Sequence, residues 1–180
     1  MNYQNRKYTI ENYNPNWIKE FEKEKEVLSK IFNTATLSIE HIGSTAVPGL
    51  SGKPTIDVLI TLNTLADIVQ YVLPMTENGY IDKGEYVTQN SRLFVKELNN
   101  VRLVNVHIFP KDHAHVSEML KVRDYLRSHP EKVEEYNNLK IDLYNKYPND
   151  YGMYRKYKDE WMDSLMKLLN RRNGNSGYGL

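Results

Sequence analysis

The sequence predicts a single α+β domain in which a mixed β-sheet is followed along the chain by a layer of helices. A length of 180 residues fits one ordinary domain with a real core. Short segments rich in β-branched and aliphatic residues recur as far as residue 109, as strands do. From Asp112 onward, apolar residues instead recur at the spacing of amphipathic helices. The sheet is therefore expected to come from the first part of the chain.

A first amphipathic helix is predicted to begin near Pro15. Asn14 is expected to cap this helix and Pro15 to occupy its first turn. Acidic residues and lysines separate the apolar positions, so one face of the helix is expected to pack on the sheet. The apolar positions are Trp17, Ile18, Phe21, Val27, Leu28 and Ile31.

Two strands and a second helix are predicted next. Residues 35–42 and 55–61 have the composition of strands, and the stretch between them is rich in glycine and proline, which indicates a structured loop. A helix is predicted over residues 64–77, where Asn78-Gly79 supplies a left-handed helix end.

Three further strands are predicted over residues 85–89, 92–98 and 101–109, because apolar and polar residues alternate there. Asn99-Asn100 is expected to form the tight turn of a hairpin between the last two strands.

The remaining residues predict three helices and a tail. His129-Pro130 and Pro148-Asn149 interrupt the helical pattern and mark the boundaries between the helices. Residues 173–180 are rich in glycine and small polar residues, which favours a flexible tail.

Charge and composition limit the classes of partner. Lys and Arg number 24 and Asp and Glu number 23, so no whole-molecule field draws the protein to nucleic acid or an anionic membrane. The absence of cysteine excludes disulfides and thiolate metal sites. The polar segment 1–7 leads into no apolar stretch long enough for a signal peptide or membrane span, so we expect a cytoplasmic protein without a membrane partner. The balanced charge makes nucleic acid an unfavoured partner. Nothing in the sequence indicates the oligomeric state.

The segment Gly43-Ser44-Thr45 is the first candidate for a binding site. Glycine allows the backbone to approach a ligand closely, and the N–H groups and two hydroxyls of this segment are suited to phosphate oxygens. The alternative is that Gly43 turns the chain and Ser44 caps a short helix.

The polar faces of two strands supply further candidates. Alternation along 55–61 places Asp57 opposite an apolar edge, so this carboxylate needs a partner or a ligand. Alternation along 101–109 places Asn105 and His107 on a polar face as well. His107 is a candidate general base or metal ligand, or a hydrogen-bonded core histidine.

Three cations are candidates for neutralising phosphate. Arg92 and Lys96 share one face of their strand, and we expect them to line the same concave surface as Asp57 and His107, with Lys53 nearby. Alternatively, Arg92 and Lys96 are solvated on an exposed sheet face.

Other polar residues give weaker signals. His113 and His115 do not combine with the strand histidine in any strong zinc-binding pattern. Arg123 and Arg127 are spaced to share one helical face and to grip an anion, although such pairs are more often surface charges.

Residues 39–60, 122–127 and 136–140 together resemble the GrpB family. The resemblance covers nearly the whole chain and implies a single domain over residues 1–172, with the mixed sheet and packed helices of a nucleotidyltransferase-like fold. Residues elsewhere also fall where the family's pattern places similar ones: the segment 13–17, Arg92, Phe94, Lys96, His107, Tyr154 and Lys158.

The resemblance to the nucleotidyltransferase superfamily implies a Gly-Ser before a helix and an Asp-x-Asp on the next strand, whose carboxylates hold a divalent metal against a triphosphate. Here Asp57 has Thr55 two residues before it and Leu59 two residues after it, so the acidic pair is incomplete. We therefore expect either a nucleotidyltransferase with Mg²⁺ at Asp57, or a catalytically inactive module that binds a nucleotide or another phosphorylated small molecule. A scaffold protein with a residual cleft is the third alternative.

Overall fold

The computed structural model describes residues 8–86, 88–99 and 101–174. Within these residues, five strands form one sheet in the order β1-β2-β5-β4-β3. Strands β2 and β5 are parallel and the other neighbours are antiparallel, so the sheet is mixed, as predicted. The strands are β1 (Thr36–Ile42), β2 (Ile56–Leu62), β3 (Ile81–Asp82), β4 (Arg92–Leu98) and β5 (Val101–Pro110).

The helices of the last part of the chain form the predicted layer. Their predicted boundaries at His129-Pro130 and Pro148-Asn149 are confirmed. The last helix runs to Gly174, two residues into the stretch predicted to be a tail, and residues 175–180 lie outside the described chain. No described helix has both the length and the apolar character needed to cross a membrane. The helices are α1 (Asn16–Phe32), α2 (Val72–Glu77), α3 (Ala114–Ser128), α4 (Pro130–Lys146) and α5 (Tyr151–Gly174).

The start of α1 is capped as predicted. Asn14 Oδ1 accepts a hydrogen bond of 3.0 Å from the N–H of Asn16, which satisfies one of the free donors at the helix start. The buried face of α1, which includes Trp17 and Phe21, packs on one face of the sheet.

Strand alternation separates two cores, as predicted. Ile56, Val58 and Ile60 of β2 lie in the core beneath α1, together with alternate residues of β5. Leu59 points to the opposite face and packs with Val116 of α3. Asp57 therefore lies on the face that is turned toward the later helices.

The predicted helix over residues 64–77 is wrong in its first half. Residues 68–71 form a 3₁₀ turn, and α2 covers only Val72–Glu77. Pro74 has no N–H, and its ring clashes with a helical carbonyl four residues earlier, so it is tolerated only within the first turn of a helix. A continuous α-helix through residue 70 is therefore disfavoured.

The predicted strand over residues 85–89 is also wrong, since the described residues there form bends and a turn and residue 87 is not described. Strand β3 lies earlier, at Ile81–Asp82, and is followed by a bend in which Asp82 Oδ1 accepts from the N–H of Gly84 at 2.9 Å and Gly84 has a φ of 67°. In the predicted hairpin turn, Asn99 adopts a left-handed φ of 50° and Asn100 lies outside the described residues.

Candidate functional site

A cavity of about 260 Å³ opens between the Asp57 face of the sheet and the helices α3, α4 and α5. We call it the cleft. The loop of residues 43–55, which joins β1 to β2, forms one of its walls. The predicted site residues Gly43, Ser44, Lys53 and Asp57 all line it.

Two glycines let the loop lie close to the polar groups of the cleft. Gly43 has a φ of 73°, and a Cβ atom there would overlap the carboxylate of Asp57. A Cβ atom on Gly52 would lie 2.7 Å from the Cβ of Ser44. The close backbone approach expected of Gly43 is therefore present, and Ser44 begins a 3₁₀ turn of three residues.

The polar residues predicted on β2 and β5 meet in space. The side-chain amide of Asn105 donates to Asp57 Oδ1 at 2.6 Å, and His107 Nε2 lies 3.7 Å from the same oxygen. Arg102 donates to Asn105 Oδ1 at 3.2 Å, which turns the Asn105 amide group toward Asp57. Paired strand residues place these side chains on one face, as predicted.

The environment of Asp57 favours its ionised form. Burial acts to raise the pKa of Asp57, but the interactions with His107, the hydrogen bond from Asn105 and the charge of Lys53 outweigh it and lower the pKa. The Asp57 side chain remains 26% exposed, so this carboxylate is accessible from the cleft. The Nδ1 atom of His107 is buried and has no hydrogen-bond partner in the described part of the chain.

Lys140 is the main residue of the cleft that the sequence reasoning missed. It is 1% exposed, and its Nζ atom donates to Ser44 Oγ at 2.8 Å and to the carbonyl of Ser51 at 2.6 Å. The Nζ atom also lies 4.1 Å from the centre of the Tyr136 ring. Burial, with the charges of Lys158 and Lys53, lowers the pKa of Lys140 well below its usual value.

A sequence signal for Lys140 did exist. The buried residues of α4 are Val133, Tyr136, Lys140 and Leu143, which follow one another at helical spacing. A lysine in the apolar stripe of an amphipathic helix is buried and therefore needs a polar partner inside the protein. Such a position indicates a candidate binding site.

The cleft has an excess of positive charge. Among the described residues that line it, Asp57 is the single carboxylate, whereas Lys53, Lys140, Lys158 and Arg123 are basic. Lys53 Nζ donates to the hydroxyl of Tyr151 at 2.7 Å. Lys158 pairs with Asp159, but neither Lys53 nor Lys140 forms an ion pair within the described chain.

The loop is fixed to α4 by one side chain as well as by Lys140. Asn137 Oδ1 accepts from the N–H of Ser51 at 2.8 Å, and Asn137 Nδ2 donates to the carbonyl of Gly49 at 2.9 Å. Asn137 therefore pairs with the loop as a strand neighbour would.

Arg92 and Lys96 do not share the cleft, so this part of the prediction is wrong. Arg92 Nε donates to Asp82 Oδ1 at 2.9 Å. Lys96 Nζ lies 2.8 Å from Glu24 Oε2 and 4.3 Å from the centre of the Tyr80 ring. Glu24 belongs to α1, which covers the opposite face of the sheet.

The pairing of β4 with β5 gives the reason. Phe94 pairs with Val106, whereas Leu93 pairs with His107. Because paired residues point to the same face, the even-numbered positions of β4 face α1.

Thr45 does not line the cleft either, although it was predicted to bind phosphate. It is 1% exposed, and its hydroxyl lies 2.9 Å from His41 Nε2. The 3₁₀ turn at Ser44 directs the two neighbouring hydroxyls to different sides. The ring of His41 stacks on Phe21 with a centre-to-centre distance of 4.5 Å, and burial lowers the pKa of His41 to about 4.

The arginine pair of α3 binds protein groups. Arg123 donates to Glu40 at 2.7 Å and to the carbonyl of His41 at 3.1 Å. Arg127 Nε donates to the carbonyl of Ala46 at 2.9 Å. Both arginines thus attach α3 to β1 and the loop.

The donor set around Asp57 does not form a metal centre by itself. The described residues contain no group of three His, Asp or Glu side chains placed to hold a metal ion. The neighbouring positions on the same side of β2 are Thr55, whose hydroxyl donates to the carbonyl of Arg102, and Leu59, which is in the core. Mg²⁺ prefers carboxylate and phosphate oxygens, so a metal here would depend on oxygens from a ligand.

Comparison with solved structures defines the class of fold. The chain has the nucleotidyltransferase-like fold: it is similar to the Cid1 poly(U) polymerase with a TM-score of 0.51 and 10% sequence identity. The match covers 75% of this chain and 44% of that chain, and at this identity it shows the fold alone.

Within that class, the chain belongs to the GrpB family, whose family profile matches residues 7–168. It is similar to a solved GrpB from Enterococcus faecalis, with a TM-score of 0.86 and 29% identity, covering 93% of this chain and 100% of that chain. The predicted family and fold class are therefore confirmed.

Two curated relatives support the same assignment. The UPF0157 protein YqkA of Bacillus subtilis is 38% identical over 94% of this chain, which spans 49% of YqkA. The glutamate-rich protein GrpB of Alkalihalophilus pseudofirmus is 30% identical over 87% of this chain and 92% of that protein. The chain thus spans about half the length of the first relative.

Proposed function

We propose that the cleft binds a phosphate-bearing small molecule, such as a nucleotide, through Ser44, Lys53 and Lys140. The observation that carries the proposal is the buried amine of Lys140, which has a hydroxyl and a carbonyl but no described carboxylate as partners. A buried cation without a counter-charge is costly, by several kcal/mol in real proteins. An anion that enters the cleft supplies the missing charge.

The geometry of the donors supports phosphate. Lys140 reaches Ser44 from α4, and Lys53 extends from the loop to Tyr151, so donors from separate segments border one cavity. Phosphate oxygens accept several charge-assisted hydrogen bonds at once, which suits such a cluster. Gly43 and Gly52 let the loop backbone lie close to Asp57 and Ser44, so Ser44 stays within reach of Lys140.

Titration calorimetry with pyrophosphate and ADP tests the proposal. Lys140→Met should weaken binding about 10- to 100-fold, the equivalent of one hydrogen bond to a charged group. Lys146→Met is the matched control, because Lys146 is exposed on the same helix and its loss should leave affinity unchanged. Absence of saturable binding by the wild-type protein, or equal affinities for the two variants, would overturn the proposal.

Nucleotidyl transfer with Mg²⁺ is the second candidate function, and it is favoured by the position of Asp57, which lines the cleft and lies 3.7 Å from His107 Nε2, although His107 itself is not among the lining residues. Asp57 is the residue that would contact a Mg²⁺ ion brought by the phosphates, and that ion would offset phosphate charge. His107 is then the candidate general base. The missing second carboxylate makes a binding module without turnover the first candidate.

Dependence on Mg²⁺ distinguishes a nucleotidyltransferase from a binding module without turnover. The enzyme requires Mg²⁺-dependent transfer of the nucleotidyl group of a nucleoside triphosphate to an acceptor hydroxyl or amine, which loses its proton to a base as pyrophosphate leaves. Asp57→Asn should abolish this release of pyrophosphate while the melting temperature is retained. Binding without turnover, at the same affinity with and without Mg²⁺, supports the module. Turnover that is unchanged in Asp57→Asn would refute the transferase assignment.

A further inference from the structure

We propose that the cleft selects phosphate compounds whose organic part is apolar over those whose organic part is rich in hydroxyl groups. The proposal rests on the proposed phosphate site and adds the class of the attached group. A nucleotide, whose ribose carries hydroxyl groups, is accordingly expected to bind less tightly than an aryl phosphate. It follows from a change of chemical character along the cleft.

Helix α5 shows this change. Tyr151 lies at the start of α5 and its hydroxyl accepts from Lys53, whereas Met162 packs in the same cluster as Val122 and Leu126 of α3. Positions 151 and 162 both line the cleft and lie about 16 Å apart along a helix. The polar end and the apolar end therefore belong to one cavity.

The apolar end has surface left for a ligand. Leu126 is 2% exposed and fully packed, but Met119 and Val122, on the same face of α3, are only partly buried and line the cleft with Met162. An apolar group placed against them removes this surface from water. Methionine side chains adapt to irregular shapes and make favourable contacts with aromatic rings.

The apolar end offers little to a hydroxyl-rich group. Arg123 also lines the cleft on α3, but its guanidinium group already binds Glu40, Asp124 and the carbonyl of His41. A sugar placed against Met119, Val122 and Met162 would lose hydrogen bonds to water without replacement from these three side chains, and such burial is unfavourable.

The test compares three probes by titration calorimetry: inorganic phosphate, 1-naphthyl phosphate and ribose 5-phosphate. We expect 1-naphthyl phosphate to bind about 10-fold or more tightly than inorganic phosphate, as burial of a ring predicts. Ribose 5-phosphate should bind no more tightly than inorganic phosphate. If ribose 5-phosphate equals or exceeds 1-naphthyl phosphate, the inference is overturned and the phosphate site stands. If none of the three binds, the proposed phosphate site itself is refuted.

Two variants test whether the naphthyl ring binds at the apolar end of the cleft. Val122→Asn should reduce the affinity for 1-naphthyl phosphate toward that for inorganic phosphate and leave inorganic phosphate binding unchanged. Val69→Asn is the control, because Val69 is 68% exposed and does not line the cleft. Equal affinities of the two variants for 1-naphthyl phosphate would also overturn the inference, since the ring would then lie elsewhere.

Discussion

The Nζ atom of Lys140 lies 2.8 Å from the hydroxyl oxygen of Ser44, although 96 residues separate them in the sequence. The same amine donates to the carbonyl of Ser51, so one side chain of α4 holds two points of the loop. Because Lys140 is buried without a described carboxylate, this contact combines a structural role with the charge needed to bind an anion.

Replacement of Lys140 by Met should change stability little. The variant removes a buried amine that has no counter-charge, which is favourable. It also leaves the carbonyl of Ser51 without this donor, which costs about 1–3 kcal/mol. We expect the free energy of unfolding, measured in urea, to change by about 1 kcal/mol or less. A loss above about 3 kcal/mol would show that Lys140 is chiefly structural.

Phosphate affinity should fall as pH rises. The pKa of Lys140 is lowered in the folded protein, so the amine loses its proton at a lower pH than an exposed lysine does. Only the protonated amine offers a charge to the anion. Relative to the Lys140→Met variant, the pyrophosphate affinity of the wild-type protein should therefore begin to decrease at a pH below the ordinary lysine pKa of 10.5. Lys140→Met should show a flatter profile; an identical slope in both proteins would contradict the assignment.

Gly43→Ala should be markedly destabilising. The substitution strains a residue with a φ of 73° and also places a methyl group against the Asp57 carboxylate. Gly79 is the matched control, with a φ of 82° and no atom within 4 Å of an added Cβ. Gly79→Ala should cost about 1–2 kcal/mol of backbone strain, and Gly43→Ala should cost about 3 kcal/mol or more. Equal losses of unfolding free energy in the two variants, measured in urea, would show that the Asp57 side chain moves away from the added methyl group at little cost.

Stability should fall between neutral and mildly acidic pH because of His41. Its pKa is about 4 in the folded protein, whereas the ordinary value of 6.5 applies in the unfolded chain, so the unfolded chain binds more protons in this interval. Stability is therefore retained above 6.5 and lost as pH falls toward 4, by up to about 3 kcal/mol. His41→Gln should reduce this slope in urea denaturation measured at a series of pH values. A slope unaffected by the substitution would assign the effect to another group.

Asn105→Ala should raise the pKa of Asp57. The amide of Asn105 donates to Asp57 at 2.6 Å and is one of the interactions that lower the pKa of this carboxyl group. Carboxyl-carbon NMR titration of Asp57 in the wild type and the variant measures the shift. An unchanged or lower pKa in the variant would show that His107 and Lys53 alone set the ionisation.

Local patterns predicted the sheet and part of the site well, for a geometric reason. Side chains on a strand alternate between two faces, so Asp57, Asn105 and His107 were placed correctly on polar faces. The parallel pairing of β2 with β5 then brings Asp57 and Asn105 opposite each other.

Alternation gave the wrong side of the sheet for Arg92 and Lys96. It shows which residues of one strand share a face, but not which face of the neighbouring strand lies on the same side of the sheet. The side of the sheet depends on the register between strands, and the pairing of Phe94 with Val106 places Arg92 and Lys96 on the face toward α1. Lys140 was missed because it comes from a helix far along the chain, and its role depends on tertiary packing.

Asn137 donates to the carbonyl of Gly49 and accepts from the N–H of Ser51, so the shape of the loop cannot be engineered apart from α4. A polypeptide cut after β5 would retain every described strand yet lack the amide that shapes the loop. Grafting residues 43–55 alone onto another scaffold would transfer the glycines and lose their conformation. A shortened or transplanted version must therefore keep both the loop and α4 if the loop is to hold this shape.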